Sequence, residues 1–434
     1  MNLKSATEGF LKLGKRTASA MPDSQIDSSQ IDSKEKEANG RGDATSGANP
    51  LGLGGVHHER PVQEARSGVG GVPPLKPTEK EGKFSFGLYG LVTSLLLGSV
   101  AGVNWLIDPL WYSHGNILTG KNFAFNERVT KTNLFLRTKD QENYDCIILG
   151  SSRVTTLRAS ELSNNNCFNY ALKGAEIPDF VSYANFLQEQ KIDPKIVYVG
   201  VDGLNFVEQE RKEEQPISIE SLQTPSFLQA YLSSDVLLFS AMTILGVSPD
   251  PGNYYDQNLE PVDFPNPPVY DAKFYKPGSP QKCDLTSVET FIGLKEVFPN
   301  AKFVAFVPPR SAWSMVNDTY GRGLMDCELS AFHQLGQNYD AMYDFSIPSE
   351  ITQNPRNTFD GSHYSVETNN RIARILQGET DGDFGIRVDN YQFDDYRAAY
   401  RQKLKDFLAE EGELQRWDDN SAISIDMVQK KNPN

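Results

Sequence analysis

Two short segments carry residue types that can do nucleophilic chemistry together. Residues 150–153 read GSSR directly after the apolar run YDCIILG at 144–150, and residues 359–365 read FDGSHYS. A serine hydroxyl near its free pKa is a poor nucleophile. It needs an imidazole to take its proton and a carboxylate to hold that imidazole in one tautomer. Ser152, with Ser151 as second choice, His363 and Asp360 supply these three groups, and Asp360 precedes His363 by three residues, so base and orienting carboxylate share one turn. Of the five histidines, His57 and His58 fall in a polar N-terminal arm, His114 follows an apolar span and His333 lies in a helical pattern, which leaves His363 as the best-placed base. The bland alternative is that Ser151 or Ser152 only caps a following helix.

The elements that must position these residues alternate along the chain. Short apolar runs at 144–150, 167–172, 195–202, 301–309 and 339–346 read as buried strands, and helical patterns occupy 177–190, 285–298 and 328–337. A further helix, TNNRIARIL, follows FDGSHYS. Such alternation implies an α/β fold with a parallel sheet. In open α/β sheets the reactive crevice lies beyond the carboxyl ends of the strands, where GSSR falls. Residues 203–284 interrupt the alternation with an acidic, Pro-rich and Tyr-rich insertion, expected to shape the substrate side.

The pairing of GSSR with a late DGSH resembles the SGNH (GDSL-like) hydrolase superfamily, over about residues 144–377. The resemblance implies a flavodoxin-like three-layer domain with a parallel sheet. By position it implies Ser152 as nucleophile, His363 as general base and Asp360 as its partner. It also implies Gly174, in NYALKGAE, as an oxyanion donor. The family's third block carries an asparagine where GVDG at 200–203 places Asp202, and Asn205 is the substitute within reach. A carboxylate facing a developing oxyanion opposes catalysis, so Asp202 points away, stays protonated, or marks an altered or lost reaction. Arg153 is suited to an anionic group of a polymer or acyl donor, or equally to an ion pair with Asp202, and Arg310 stands at another strand end. Trp313 and the insertion's tyrosines offer faces for sugar rings, although aromatics in loops often just pack.

The rest of the chain bears on location. Residues 84–107 hold no charged side chain, and at ~1.5 Å rise per residue this length crosses a ~30 Å hydrocarbon core. A retained transmembrane helix is expected, with a buried helix or a cleaved signal as alternatives. Lys76, Lys80 and Lys83 precede the span, which places the N-terminus in the cytoplasm and the domain outside, against a more distant set of basic residues after it. The arm at 1–83 is polar, repetitive and nearly free of aromatics, hence expected to be disordered. It carries 12 Lys or Arg against 11 Asp or Glu, so the net charge of −15 belongs to the remainder. An acidic domain without a basic, aromatic-interleaved patch argues against nucleic-acid binding. Residues 108–143 read as a connector without clean periodicity, 144–378 as the α/β domain, and 379–434 as a C-terminal helix and tail. Cys146 and Cys167, inside apolar runs, read as small buried thiols, while Cys283 and Cys327 are candidates for a disulfide. No CxxC spacing suggests a zinc site, and neither metal nor cofactor is expected.

The function these features imply is that of a membrane-anchored serine esterase or O-acyltransferase acting on an acyl ester, with a surface polysaccharide as the expected substrate. The bilayer and a membrane acyl-donor protein are its expected partners. The architecture is similar to that of extracytoplasmic alginate O-acetylation and D-alanyl-lipoteichoic-acid proteins. The alternatives are a catalytically silent SGNH-like binding or assembly module within a surface-polymer complex, and a plain structural membrane protein in which the two motifs are coincidental.

Overall fold

The computed structural model describes residues 79–208, 225–248, 254–264, 267–276 and 278–420. Most of the expected disordered arm and the end of the tail lie outside them. The first described element is helix α1 (Glu79–Ile107), which begins five residues inside the region read as arm. Within it, Phe86–Ile107 is long and apolar enough to cross a membrane, with a mean hydropathy of 1.7 over its best window.

The stretch read as a connector is ordered into strand β1 (Lys121–Phe123) and helix α2 (Glu127–Glu142). Asn126 caps α2 by accepting from the Val129 N–H, and Asn143 closes it in the left-handed region. Its buried face mixes Leu134 and Phe135 with Thr130, Lys131, Thr132 and Asn133, and this mixture is why no apolar period shows. The polar members find partners: Thr132 Oγ1 meets the Tyr170 hydroxyl at 2.7 Å and Asn133 donates to Leu110 O.

Then come β2 (Cys146–Leu149), β3 (Cys167–Asn169), α3 (Ile177–Glu189) and β4 (Ile196–Gly200). The insertion holds α4 (Phe227–Tyr231), α5 (Ser234–Leu245) and β5 (Tyr254–Asp256), the last pairing antiparallel with β1. After it follow α6 (Thr286–Val297), β6 (Lys302–Val307), α7 (Met325–Asn338), β7 (Ala341–Asp344), α8 (Val366–Leu376), the two-residue β8 (Ile386–Arg387) and α9 (Phe393–Glu410). All five apolar runs are strands and the four helical patterns are helices.

The main sheet runs β3-β2-β4-β6-β7-β8, parallel throughout except for β8. Its five parallel strands therefore follow the order 2-1-3-4-5 of one kind of doubly wound sheet. Successive residues point to opposite faces. Ile147, Leu149, Val197, Val199, Phe303 and Ala305 join the core beneath α3, α6 and α7. Ile148, Tyr198, Val304 and Phe306 join a second core against α8. Both faces are covered, which is why the strands read as continuous apolar runs.

The cysteine reading is corrected here. Cys146 and Cys167 form a disulfide, because β2 and β3 pair in a register that sets the two residues side by side with Cα atoms 4.2 Å apart. Cys283 and Cys327 form the second disulfide.

Candidate active site

The turn bearing Ser152 is shaped by glycines at two neighbouring strand ends. A Cβ on Gly150 would stand 2.7 Å from the Val154 side chain, and one on Gly200 would stand 2.4 Å from it. Only glycines let Val154 fold back over the ends of β2 and β4, and this tight return presents Ser152 at the sheet's carboxyl edge. Turns occupy residues 152–156, and the short 3-10 helix that follows, Ala159–Glu161, has Arg158 at its N-cap, so neither Ser151 nor Ser152 caps a helix. Leu172 N–H donates to Gly150 O at 2.9 Å and locks the turn to the segment after β3.

His363 arrives from the other end of the chain. Its Nε2 lies 2.9 Å from Ser152 Oγ, and its Nδ1 lies 2.8 Å from Asp360 Oδ2. With the proton on Nδ1 donated to Asp360, Nε2 is left to accept from the serine hydroxyl, the tautomer that proton abstraction requires. The loop holding both residues is closed on itself. Asp360 Oδ1 accepts the N–H groups of Ser362 and His363, His363 O accepts from Phe359 N–H and Thr358 Oγ1, and Ser365 caps α8 immediately after. Partial desolvation alone would raise the Asp360 carboxyl, which is more than half exposed. The His363 ring and the two backbone donors outweigh it and hold the group down to about 2.

Gly361 lies between these two residues with φ +87°, where a Cβ would stand 2.5 Å from Ser314 Oγ and 2.7 Å from the Tyr270 ring. Tyr270, from the insertion, and Ser311, whose N–H donates to Gly361 O, brace the loop from outside. No motif marked these supporting residues.

The remaining candidates divide. Asp202 does not stand alone at the end of β4: Arg153 Nη2 lies 2.6 Å from its Oδ1, and both side chains are buried. Asn205 donates through Nδ2 to Asp202 O, so this contact ties it to its own turn. Gly174 follows β3 with φ +64°, beside Lys173, whose N–H donates to Glu127. Among the described residues, neither the Ser152 nor the Gly174 N–H donates a hydrogen bond.

Arg310 is buried and donates to Thr319 Oγ1 at 2.9 Å, with Glu328 3.8 Å and Asp318 3.6 Å away. Glu328 rests against Gly203, and burial raises its carboxyl against the pull of Arg310. Burial also lowers the Arg153 guanidinium, opposed by Asp202. A buried layer of paired charges thus underlies the serine, and Glu328, an acid in the first turn of α7, is its member that the sequence did not reveal. Trp313 packs, as loop aromatics often do: it is buried edge-on against Phe407 and offers no exposed face to a sugar ring. Of the insertion's tyrosines, Tyr255 is buried with its hydroxyl on Glu127, and Tyr275 is exposed. Among the described residues, no group of three His, Cys, Asp or Glu is placed to hold a metal ion.

Fold and site together define a mixed α/β protein, with a mostly parallel six-stranded sheet and a hydrogen-bonded Ser–His–Asp relay at the carboxyl ends of its strands. No protein-family profile, no curated protein and no solved structure matches this chain.

Proposed function

We propose that this chain is a single-pass membrane protein whose SGNH-like, flavodoxin-ordered domain is a serine esterase or O-acyltransferase, acting on acyl esters of a cell-surface polysaccharide. The observation that carries this reading is the continuous run of hydrogen bonds from Ser152 Oγ through His363 to Asp360. Ser152 Oγ attacks the ester carbonyl as its proton passes to His363 Nε2, and the resulting oxyanion is met by the Ser152 and Gly174 N–H groups. The carbon–oxygen bond to the leaving alcohol breaks, with the proton going to that alcohol. Water or an acceptor hydroxyl then attacks the acyl-serine, gives its proton to Nε2 and releases Ser152. The Arg153 ion pair supports this by drawing the Asp202 charge away from the oxyanion.

An extracytoplasmic domain with a cytoplasmic N-terminus is supported by the two disulfides, which persist in oxidising compartments, and by the lysines before the span. Asp202, standing where the family has asparagine, favours a second reading: the same fold as a silent binding module. Labelling of the detergent-solubilised full chain with a fluorophosphonate separates the two. The esterase reading expects labelling of wild type and none of Ser152→Ala or His363→Ala. Folded wild type that does not label supports the silent module.

A further inference from the structure

The insertion contains a stretch whose polarity runs opposite to that of a soluble helix pair. Residues 225–248 carry a single charged side chain, Asp235. They form α4 and α5, and three hydroxyls of this hairpin point inward, while Ser226 and Ser234 are exposed. Ser240 Oγ donates to Asn104 Oδ1 and Thr243 Oγ1 donates to Asn122 Oδ1, while the Tyr231 hydroxyl reaches Asp108 and Ser113. Outward stand Phe227, Leu228, Leu232, Ile244 and Leu245, between 37% and 65% exposed. In water this is an unfavourable arrangement, because five large apolar side chains face solvent while three hydroxyls are used inside.

The hairpin's position says what covers it. Asn104, in the last turn of α1, is fully buried and donates to Tyr231 O at 2.8 Å and Ser233 O at 3.1 Å. Asp108, the residue after α1, accepts four consecutive backbone N–H groups from Tyr112 to Gly115. These contacts join α4 and α5 to the carboxyl end of the helix that is long and apolar enough to cross a membrane, and α1 itself exposes apolar side chains from Phe86 to Leu97. Exposed Ile117 and Leu118 belong to the loop fastened to α1 by the Ile117 N–H bond to Leu106 O.

We infer that α4 and α5 form an interfacial membrane anchor whose apolar side lies in the headgroup and upper acyl region of the bilayer that α1 crosses. The inference rests on α1 being a span and is independent of the serine chemistry. The domain is thereby held at the bilayer by two elements, so it cannot swivel freely about a single helix, and the insertion has a membrane role besides shaping the crevice.

The test places an environment-sensitive nitrobenzoxadiazole label on the full chain in phosphatidylcholine/phosphatidylglycerol vesicles, at Leu228→Cys, Leu245→Cys, mid-span Leu95→Cys and, as an aqueous control, Asp395→Cys. Labels at 228 and 245 are expected to emit blue-shifted relative to 395 and to be quenched by shallow spin-labelled lipid more than by deep, with 95 showing the reverse depth preference. Quenching at 95 with none at 228 and 245 overturns the interfacial anchor and leaves the span standing. Absence of quenching at all three overturns both.

Discussion

Arg153 Nη2 stands 2.6 Å from Asp202 Oδ1, and this buried pair fixes the direction of the one carboxylate that would oppose an oxyanion at the end of β4. Removing one partner leaves a buried charge uncompensated, which destabilises by roughly 3–5 kcal/mol, whereas removing both is much milder. Arg153→Ala is therefore expected to lower the melting temperature steeply, and Arg153→Ala/Asp202→Ala to recover most of the loss. A double-mutant cycle by thermal unfolding in detergent measures this, and purely additive losses would remove the ion pair from the account.

Asp360 gives the pH dependence. Its folded carboxyl is held to about 2, below the ordinary value of 3.8, so its contribution is fully present above about pH 4 and is lost as pH falls toward 2. The difference in melting temperature between wild type and Asp360→Asn should narrow as pH falls from about 4 to 2. A difference unchanged over that acid window would mean the carboxyl is not held down by His363 and the backbone donors.

Gly361 tests whether the loop must have its observed shape. Alanine there is strained at φ +87°, and its Cβ would press on Ser314 and the Tyr270 ring. The strain costs about 1–3 kcal/mol, and the natural relief is to move the segment that carries His363. Gly361→Ala should slow fluorophosphonate labelling by at least about tenfold, since near-ångström misplacement of a base is costly. Labelling at the wild-type rate would show that the loop has slack.

The parallel strands and their helices were legible because each is a short apolar run or a period of apolar residues bounded by turns. Ser152, His363 and Asp360 were legible because strand-end position and an Asp-x-x-His spacing are local properties. What escaped depended on packing between distant segments. Helix α2 was hidden because the face it buries carries Lys131 and Thr132, whose partners, Ala171 and Tyr170, lie on the far side of β3. Helices α4 and α5 were passed over inside an insertion read as acidic, because only Ala230, Tyr231 and Val236 of their apolar residues are buried, too few to trace a core-facing period. The sequence left Arg153 open between an anionic ligand and a pair with Asp202, and only the closeness of the two strand ends decides for the pair.

The pairing of Cys146 with Cys167 followed from the same cause, because two buried thiols become one bond only once β2 and β3 are known to be neighbours in register. The bond closes the segment that contains Ser152, with a sequence separation of 21 residues. Restricting the unfolded chain over a loop of that size contributes about 3 kcal/mol in the chain-entropy account. Cys146→Ala/Cys167→Ala should therefore melt at a lower temperature than wild type, and its fluorophosphonate labelling should weaken as the turn between the strands loosens. Peptide mapping without reductant should recover the two cysteine peptides linked. Recovery of both as free thiols, with wild-type melting in the double variant, would restore the reading of two separate buried hydrophobes and leave the Ser152 turn held by Val154 and the Leu172-to-Gly150 hydrogen bond alone.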